Sequence, residues 1–362
     1  MENLQIFNTL NSKKEVFTPI DNDHIKIYAC GPTVYNFAHI GNARMAVVFD
    51  TFVRTLRVIY PKVTYVSNIT DIDDKIIDAA KEQNVEISEI TEKYTQIYNE
   101  DMSMLNVLEP DIQPKATEYI PEMIALIEDL IAKEFAYEKD NHVLFHVPAY
   151  SKYGELSNRN REEQIAGSRV EIAPFKKDPS DFVLWKPSDD SQPGWDSPWG
   201  FGRPGWHTEC SAMSEKTLGL PFDIHGGGRD LIFPHHENEI AQSCCSTANI
   251  DEPDSYAKYW MHNGFVTIEG EKMSKSLGNI ILVRDLTKNY HGEAIRLALL
   301  SSHYRQGLDW NEKIIHQAKK LLTKIYQILD ELKDVQEIES ESLNIEPITT
   351  LMDDLNTPGL IA

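Results

Sequence analysis

The sequence lacks the features that mark membrane, secreted and disulfide-bonded proteins. It contains no apolar run of about 18 residues, the length that a membrane-spanning helix needs. Its N-terminus has no basic flank followed by an apolar core, so we expect no secretory signal. Only four of the 362 residues are cysteines, and no two of them form a C-x-x-C pair. These absences predict a cytoplasmic protein that makes no membrane contact and has no structural disulfides.

Positive charge is also scarce. The chain has 35 lysines and arginines against 57 aspartates and glutamates, which gives a formal net charge of −22. This balance excludes the generally basic surface that is typical of nucleic-acid-binding domains. Any contact with RNA must therefore use a local basic surface within a repulsive overall field.

Three familiar nucleotide and metal motifs are absent. The chain has no G-x-x-x-x-G-K-[ST] string and no G-x-G-x-x-G after its first predicted strand, which disfavours P-loop NTPases and dinucleotide enzymes. The segment from His236 to Ile240 has an isoleucine where the H-E-x-x-H motif needs its second histidine. A protease of the zincin class is therefore disfavoured as well.

The spacing of apolar residues predicts a parallel α/β sheet. A strand over 24–29 is followed by a helix that begins near Ala38, then by a strand over 64–68 and a helix over 72–81. In such sheets ligands gather where the strands end at their carboxyl side.

The α/β pattern stops and then resumes. Residues 115–205 are polar and carry several prolines and tryptophans, which predicts an insertion. A strand over 222–225, a turn over 226–230 and a helix over 237–245 resume the pattern. Beyond Leu286 the chain is predicted to be mainly helical, and Asp309 is a candidate cap for a long helix.

Four side chains are candidate metal ligands. His235 and Glu239 are four residues apart in a predicted helix start, so they share one face. Cys30 directly follows the first strand, and Cys210 lies far from it in sequence. Two thiolates, an imidazole and a carboxylate would suit zinc. Spacing alone leaves the alternative open that both cysteines are simply buried small hydrophobes.

Two further segments are candidates for binding phosphate. The segment His39-Ile40-Gly41-Asn42 begins a helix, where free backbone N–H groups and the helix dipole favour an anion. The segment Lys272-Met273-Ser274-Lys275-Ser276 carries mobile charges and hydroxyls that can close on a polyphosphate. The residues alone leave simpler alternatives open, namely a helix cap and an exposed polar turn.

These segments carry a resemblance to a known family. His39-Ile40-Gly41-Asn42 resembles the HIGH signature, and Lys272 to Ser276 is a complete KMSKS, as in class I aminoacyl-tRNA synthetases. The similarity to the cysteinyl-tRNA synthetases extends from about Cys30 to Trp310. It is carried by the strings CGPTVYNFAHIGNAR, NITDIDDKI, GRPGWHTECSAM, FDIHGGGRDLIFPHHENEIAQS and HNGFVTIEGEKMSKSLGN, with DDLNTP near the end.

The resemblance implies an α/β, Rossmann-type parallel-sheet catalytic domain that is split by a connective insertion and followed by a helical domain. We expect the halves of the catalytic domain at 1–114 and 206–285, the insertion at 115–205, and a helical stem-contact region with the start of a bundle at 286–362. The family continues through a helical bundle into an anticodon-binding domain, and we expect that domain to be absent from this sequence, which either is truncated or works without it. We therefore expect adenylate formation to be retained and tRNA charging to be less efficient.

The resemblance also implies a reaction. L-Cysteine and ATP, with Mg²⁺, would give cysteinyl-adenylate and pyrophosphate, and the cysteine would then pass to the 3′ end of tRNA-Cys. One Zn²⁺ bound by Cys30, Cys210, His235 and Glu239 would select the thiol of the substrate. An ATP-dependent ligase that passes cysteine to a small amine, as in the mycothiol pathway, is the alternative. A degenerate, non-enzymatic binding module is a third possibility, disfavoured by the intact signatures.

The remaining site residues follow from the same resemblance. His39 and Asn42 are expected to contact the phosphates, and Gly41 is expected to let the adenine ring approach the backbone. Asn42 replaces the last histidine of HIGH and cannot carry charge. Lys272 and Lys275 would close on the phosphates. Asp230, near Gly226, Gly227 and Gly228, is expected to contact the ribose. Trp206, Gly31 and Thr70 are expected to contact the amino acid.

Overall fold

A computed structural model describes residues 3–167, 174–189, 191–247, 250–274, 276–335 and 346–362. The strands of these residues are β1 (Gln5–Asn8), β2 (Lys13–Val16), β3 (Ile25–Ala29), β4 (Val63–Ser67), β5 (Ala136–Lys139), β6 (His142–Phe145), β7 (Phe182–Pro187), β8 (Gly202–Pro204), β9 (Phe222–Gly228), β10 (Ala257–Asn263), β11 (Val266–Ile268), β12 (Glu271–Lys272) and β13 (Leu308–Trp310). The helices are α1 (Ile40–Ile59), α2 (Asp74–Gln83), α3 (Ile87–Met104), α4 (Ile120–Ala132), α5 (Arg161–Gly167), α6 (Trp206–Leu218), α7 (Glu237–Ser246), α8 (Val283–Leu286), α9 (Gly292–Leu299), α10 (Glu312–Glu331), α11 (Glu346–Met352) and α12 (Thr357–Ile361).

The central sheet is parallel and has the strand order β10-β9-β3-β4. Its strands are short and buried at nearly every position, which is typical of strands covered on both faces. The chain passes from β3 to β4 through α1 and from β9 to β10 through α7, so the two crossovers leave the β3–β9 pair in opposite directions. Ligand crevices of doubly wound sheets form at such a reversal of strand order.

The predicted α/β elements are confirmed, with one correction. The strand predicted over 222–225 continues through Gly228, so the glycines do not form the predicted turn. Parallel pairing with β10 persists to the end, where Asn263 lies opposite Gly228. The prediction failed because glycine runs favour turns locally, whereas here a neighbouring strand completes the hydrogen bonds that hold them extended.

An antiparallel sheet with the strand order β5-β6-β7-β8 lies between the two parts of the central sheet in sequence. Trp185 of β7 is fully buried and its ring lies 5.9 Å from that of Trp199. These residues fall within the predicted insertion 115–205, whose boundaries stay a prediction.

The lysine-rich segment begins in β12, a strand of another small sheet with the order β12-β11-β13. The long helix α10 begins after Asn311, whose side chain accepts a hydrogen bond from the backbone N–H of Ile314 at 3.1 Å. The prediction that Asp309 caps this helix is wrong. Its carboxylate instead accepts hydrogen bonds from Thr267 and from the backbone of Gly270, so it supports the hairpin of β11 and β12.

Two parts of the fold were not predicted. The hairpin of β1 and β2 packs beside β10, and α3 packs against α2. The C-terminal segment returns to this hairpin, where the carboxylate of Asp354 accepts hydrogen bonds from the backbone of Phe7 at 2.8 Å and from the hydroxyl of Tyr304 at 2.7 Å. Among the described helices, none has the length and apolar character to cross a bilayer.

The packing of α1 on the sheet gives a test of the fold. Phe52 of α1 is fully buried in the core that contains Ile27 and Ile224. We expect Phe52→Ala to reduce the free energy of unfolding by about 3–5 kcal/mol, because it removes buried contacts and leaves a cavity. Phe201→Ala is the control, because Phe201 is 46% exposed and its loss is expected to cost under about 0.5 kcal/mol. Urea denaturation followed by circular dichroism measures both, and equal losses would contradict the described packing.

Candidate metal centre and nucleotide site

The four predicted metal ligands lie together at the carboxyl edge of the central sheet. Cys30 directly follows β3, Cys210 lies on α6, His235 lies in the bend before α7, and Glu239 lies in the first turn of α7. All four side chains are buried, with 3% exposure or less. Their ligand atoms lie within 4.8 Å of one another.

The spacing of the donor atoms fits a tetrahedral metal ion. The Sγ atom of Cys30 lies 3.6 Å from Sγ of Cys210, Nε2 of His235 and Oε1 of Glu239, and the last two atoms are 2.9 Å apart. Zinc bonds of about 2.0–2.3 Å at tetrahedral angles put neighbouring donors roughly 3.3–3.8 Å apart. Most of the measured separations are of this size, so the donor set fits zinc.

Further side chains orient the donors. Oε2 of Glu239 lies 2.7 Å from Nε2 of His225 and accepts a hydrogen bond from the hydroxyl of Tyr256 at 2.9 Å, which leaves Oε1 facing the cluster. Nδ1 of His207 lies 2.8 Å from Nδ1 of His235. Outer contacts of this kind fix the orientation of metal ligands. The sequence-based predictions did not include these residues, although His225 stands on a strand that ends at the site.

The donor groups are coupled electrostatically. Burial raises the pKa of Cys30 well above its ordinary value. Burial opposes protonation of His235, but Glu239 and Cys210 raise the pKa of that imidazole to about 10. Burial opposes ionisation of Cys210, but the thiol of Cys30 and the imidazole of His235 lower the pKa of Cys210 to about 6. Burial likewise opposes ionisation of Glu239, and His225 and His235 nevertheless hold the pKa of that carboxyl well below its ordinary range. A thiolate and a carboxylate in a buried site are strong ligands for a divalent cation.

A second set of donors overlaps the first. Cys30, His225, His236 and Glu239 also bring ligand atoms within 4.8 Å of one another. In this set Nε2 of His225 already contacts Oε2 of Glu239, and Nδ1 of His236 lies 2.8 Å from Nε2 of His262. The first set offers two sulfur donors, which zinc prefers, and is therefore the better metal site.

The residues predicted for the amino acid border the metal cluster. Asn68 joins two of them to it, since its Oδ1 accepts a hydrogen bond from the backbone of Gly31 at 2.9 Å and its Nδ2 lies 3.3 Å from Oγ1 of Thr70. The same Oδ1 lies 3.7 Å from Sγ of Cys210. The indole of Trp206 stacks on the ring of His235 with centroids 4.2 Å apart. The geometry therefore places all three predicted residues beside the cluster.

Gly31 has no room for a side chain. A Cβ atom there would lie 1.6 Å from the backbone oxygen of Asn68, so any other residue would force β3 and β4 apart.

The predicted phosphate-binding turn is organised differently from expectation. Nδ1 of His39 accepts hydrogen bonds from the backbone of Gly41 at 3.1 Å and of Asn42 at 3.3 Å, and Oδ1 of Asn42 accepts one from the backbone of His39 at 3.1 Å. Ile40 donates its N–H to the carbonyl of Ile281. The backbone N–H groups that we expected to be free are therefore occupied, because the two side chains cap the helix.

The cap leaves side-chain donors for a ligand. Because Nδ1 of His39 accepts two N–H groups, the network assigns the ring proton to Nε2, which is a hydrogen-bond donor. Burial lowers the pKa of His39, against a smaller opposing effect of Asp230, so the ring is neutral at pH 7. A phosphate contact at this turn would thus use Nε2 of His39 and the amide nitrogen of Asn42.

The glycines at the end of β9 have packing roles. A Cβ on Gly226 would lie 2.1 Å from the ring of Phe49, and one on Gly227 would lie 2.9 Å from a methyl group of Leu231. Gly228 would place a Cβ 2.5 Å from Oδ1 of Asp230, which is exposed beyond the strand. Their predicted contact with the nucleotide stays a prediction, and Asp230 stands where the strand opens to solvent.

The lysine-rich turn faces the helix start. Lys272 is exposed on β12, and Met273 approaches Gly41, where a Cβ would lie 3.3 Å from the methionine methyl carbon. The side chain of Asn279 accepts a hydrogen bond from the backbone of Ser274 at 2.9 Å and donates one to the carbonyl of Lys272 at 3.2 Å. The predicted Lys275 lies outside the described residues.

Comparison with known proteins decides the family. Residues 16–320 match the family model of the tRNA synthetases class I (C) catalytic domain. The chain is 58% identical to a cysteine–tRNA ligase of Parvibaculum lavamentivorans over 99% of this chain and 76% of that protein. The chain belongs to the cysteine–tRNA ligase family. A cysteine–tRNA ligase of Rhodospirillum rubrum is 56% identical, with 99% and 77% of the two chains covered.

A solved structure agrees with this cysteine–tRNA ligase fold. The methionyl-tRNA synthetase of Mycobacterium tuberculosis, in complex with methionyl-adenylate, superimposes with a TM-score of 0.71 at 14% identity, over 94% of this chain and 81% of that one. At this identity the likeness concerns the fold alone. The predicted family, the Rossmann-type class and the aminoacyl-tRNA ligase activity are confirmed, and the small-amine ligase finds no support among these relatives.

The metal cluster gives a second test. We expect Cys210→Ser to lower the zinc content of the purified protein from about one ion per chain to well under half, because a hydroxyl is a far poorer zinc ligand than a thiolate. Elemental analysis measures it. Cys244→Ser is the control, since Cys244 is a buried thiol outside both donor sets and its replacement should leave the zinc content unchanged. Zinc retained in full by the Cys210 variant would show that the cluster does not hold the metal.

Proposed function

We propose that this member of the cysteine–tRNA ligase family activates L-cysteine at the carboxyl edge of the β3–β9 pair and then transfers it to tRNA-Cys. The observation that carries the proposal is the closeness of two units to one sheet edge. The donor cluster around Cys30 follows β3, and the capped helix start at His39 follows it nine residues later. One unit suits a thiol and the other suits phosphates.

We propose Cys30, Cys210, His235 and Glu239 as ligands of one zinc ion. When bound, zinc would offer a soft Lewis acid to the substrate thiol and favour its thiolate form. The chain's own residues then complete the recognition. Trp206, stacked on His235, forms a wall of the pocket, and Thr70 donates its hydroxyl proton to Oε2 of Glu209 at 3.0 Å.

Recognition of the substrate's sulfur atom provides a discrimination between cysteine and serine that the shape of a pocket cannot provide. Cysteine and serine differ by one atom, and a pocket that reads only size discriminates poorly between such substrates. A zinc ion held by two thiolates would bind the thiol of cysteine more strongly than the hydroxyl of serine, because soft metal ions prefer sulfur ligands. This makes a separate editing site unnecessary for serine.

The chemical step needs position and charge rather than a protein nucleophile. The substrate carboxylate attacks the α-phosphorus of ATP, whose Mg²⁺ accompanies it, and the bond to the pyrophosphate oxygen breaks. Nε2 of His39 and the amide of Asn42 would donate to the phosphates, while Lys272 and Lys275 would neutralise the leaving pyrophosphate. Asp230 would accept a hydrogen bond from the ribose. The terminal ribose hydroxyl of tRNA then attacks the adenylate carbonyl and releases AMP.

The substrate assignment is tested by ATP–pyrophosphate exchange. We expect the protein to catalyse exchange with cysteine and to prefer cysteine over serine in kcat/KM by at least about 10³-fold, because the site reads sulfur through a metal bond. Exchange without tRNA reports the activation step alone. Comparable exchange with the two amino acids would contradict recognition through the metal.

The lysine turn is tested by Lys275→Ala. Loss of one group that stabilises charge in the transition state is expected to lower kcat for exchange by about 10²-fold, with zinc content unchanged. Lys288→Ala is the matched control, because Lys288 is exposed and pairs with Asp285 at 2.7 Å outside the turn. The control should keep its rate within about twofold. An unchanged rate in the Lys275 variant would mean that the turn does not act on the phosphates.

A further inference from the structure

The second turn of α1 carries a fully buried arginine. Arg44 follows the His39 cap by five residues and has 0% exposure. Its guanidinium donates two hydrogen bonds to the carbonyls of Gly264 and Phe265, at 3.1 and 2.8 Å. Three more reach Oγ of Ser302 and the carbonyls of His303 and Gln306, at 2.9, 3.2 and 2.8 Å.

The environment of this charge is unusual. All five bonds of Arg44 end on carbonyl or hydroxyl oxygens, and none ends on a carboxylate among the residues that the structure describes. Burial lowers the pKa of Arg44 to about 10, so the group stays charged at neutral pH. A charge that is buried without a counter-ion is costly, and an apolar side chain would fill the same volume without that cost. The arginine is therefore suited to holding several backbone segments in one place.

The first of these segments leads into the hairpin of β11 and β12, which carries Lys272. Gly264 and Phe265 directly precede β11, and the backbone of Gly264 donates to the carbonyl of Tyr304 at 2.7 Å. A Cβ on Gly264 would lie 2.3 Å from the carbonyl oxygen of Gln306, so the two segments touch closely. Arg44 holds the carbonyls on both sides of this contact.

The other end of the hairpin is also tied to α1. The carbonyl of Ile281 accepts a hydrogen bond from the backbone of Ile40 at 2.9 Å, and Val283 donates to the carbonyl of Ala38 at 3.0 Å. The segment before β11 and the segment around Ile281 are thus both hydrogen-bonded to the N-terminal part of α1 or to Ala38 just before it. Between these ends, Met273 reaches Gly41.

We propose that Arg44 is a positioning residue for adenylate formation: it sets the base of the hairpin of β11 and β12 so that Lys272 reaches the phosphates held at His39. The inference rests on the proposed function, because it concerns the same reaction. Arg44 touches no substrate and acts through the hairpin. Small displacements of groups that stabilise a transition state reduce rates steeply.

The first test replaces the guanidinium by an apolar chain of similar length. Arg44→Met is expected to lower kcat for cysteine-dependent ATP–pyrophosphate exchange by about 10- to 100-fold, while the KM for cysteine and the zinc content stay within about twofold of the parent. Arg44→Lys, which restores charge but fewer donors, is expected to recover part of the loss.

Arg296→Met is the matched control. Arg296 is a largely buried arginine of α9 that pairs with Asp50 of α1 and donates a hydrogen bond to the hydroxyl of Thr51 at 3.0 Å, away from the hairpin. Its replacement should lower stability and leave kcat within about threefold. Equal losses of kcat in the two methionine variants would overturn a specific role for Arg44.

A double-mutant cycle separates positioning from general support. If Arg44 acts through Lys272, Arg44→Met should lower kcat by less than about threefold in a Lys272→Ala background, because the group that it positions is already gone. Losses that multiply would overturn the proposal. Ser302→Ala, which removes one of the five bonds, offers a milder variant with an expected loss of about two- to fivefold, should Arg44→Met fold poorly.

Tryptic cleavage supplies a readout that needs no catalysis. Trypsin cuts after Lys272 and Lys275, so the rate of cleavage there reports how firmly the hairpin is held. Arg44→Met should accelerate these cuts by about tenfold relative to the parent and to Arg296→Met, and an unchanged rate would overturn the proposal. Absence of exchange in the parent protein would instead refute the proposed function and leave the proteolysis result standing.

Discussion

The parallel pairing of β3 with β9 is the constraint on which the site depends. Ala29 lies opposite Gly226, and the absence of a side chain at Gly226 lets Phe49 of α1 pack directly on the sheet. The strand order reverses at this pair, so the loop after β3 and the segment after β9 open on the same crevice. Cys30 enters the crevice from one side, and the bend that carries His235 enters it from the other.

Hydrogen bonds among buried polar groups determine which of their atoms face the crevice. Glu239 is fully buried and shares its two carboxylate oxygens, one with the donor cluster and one with His225 and Tyr256. The start of α1 divides its atoms in the same way, because His39 uses one ring nitrogen for the helix cap and keeps the other outside it. Because these hydrogen bonds already hold the side chains in place, less free energy is needed to reach the reactive geometry when substrates bind.

The sequence predicted the central sheet well because its strands and helices have strong local patterns. The strands and the helix within residues 24–68 were predicted correctly from hydrophobic periodicity and composition. Strands β1 and β2 have too few residues to show such a pattern. The donor cluster came from family resemblance, since Cys30 and Cys210 are 180 residues apart and no spacing rule joins them. Two predictions failed through side-chain competition. Asp309 binds a hairpin instead of capping α10, and His39 occupies the N–H groups that were expected to be free.

The dual use of the His39 ring has a consequence for behaviour in acid. A ring that gains a second proton loses its acceptor at Nδ1, so the same event removes the cap of α1 and changes the group that would meet the phosphates. Burial depresses the pKa of His39, and this part of the folding free energy is therefore present at neutral pH and falls as the pH drops below the ordinary imidazole range. Loss of the helix cap and the gain of a positive charge on the ring that would meet the phosphates would then be a single titration.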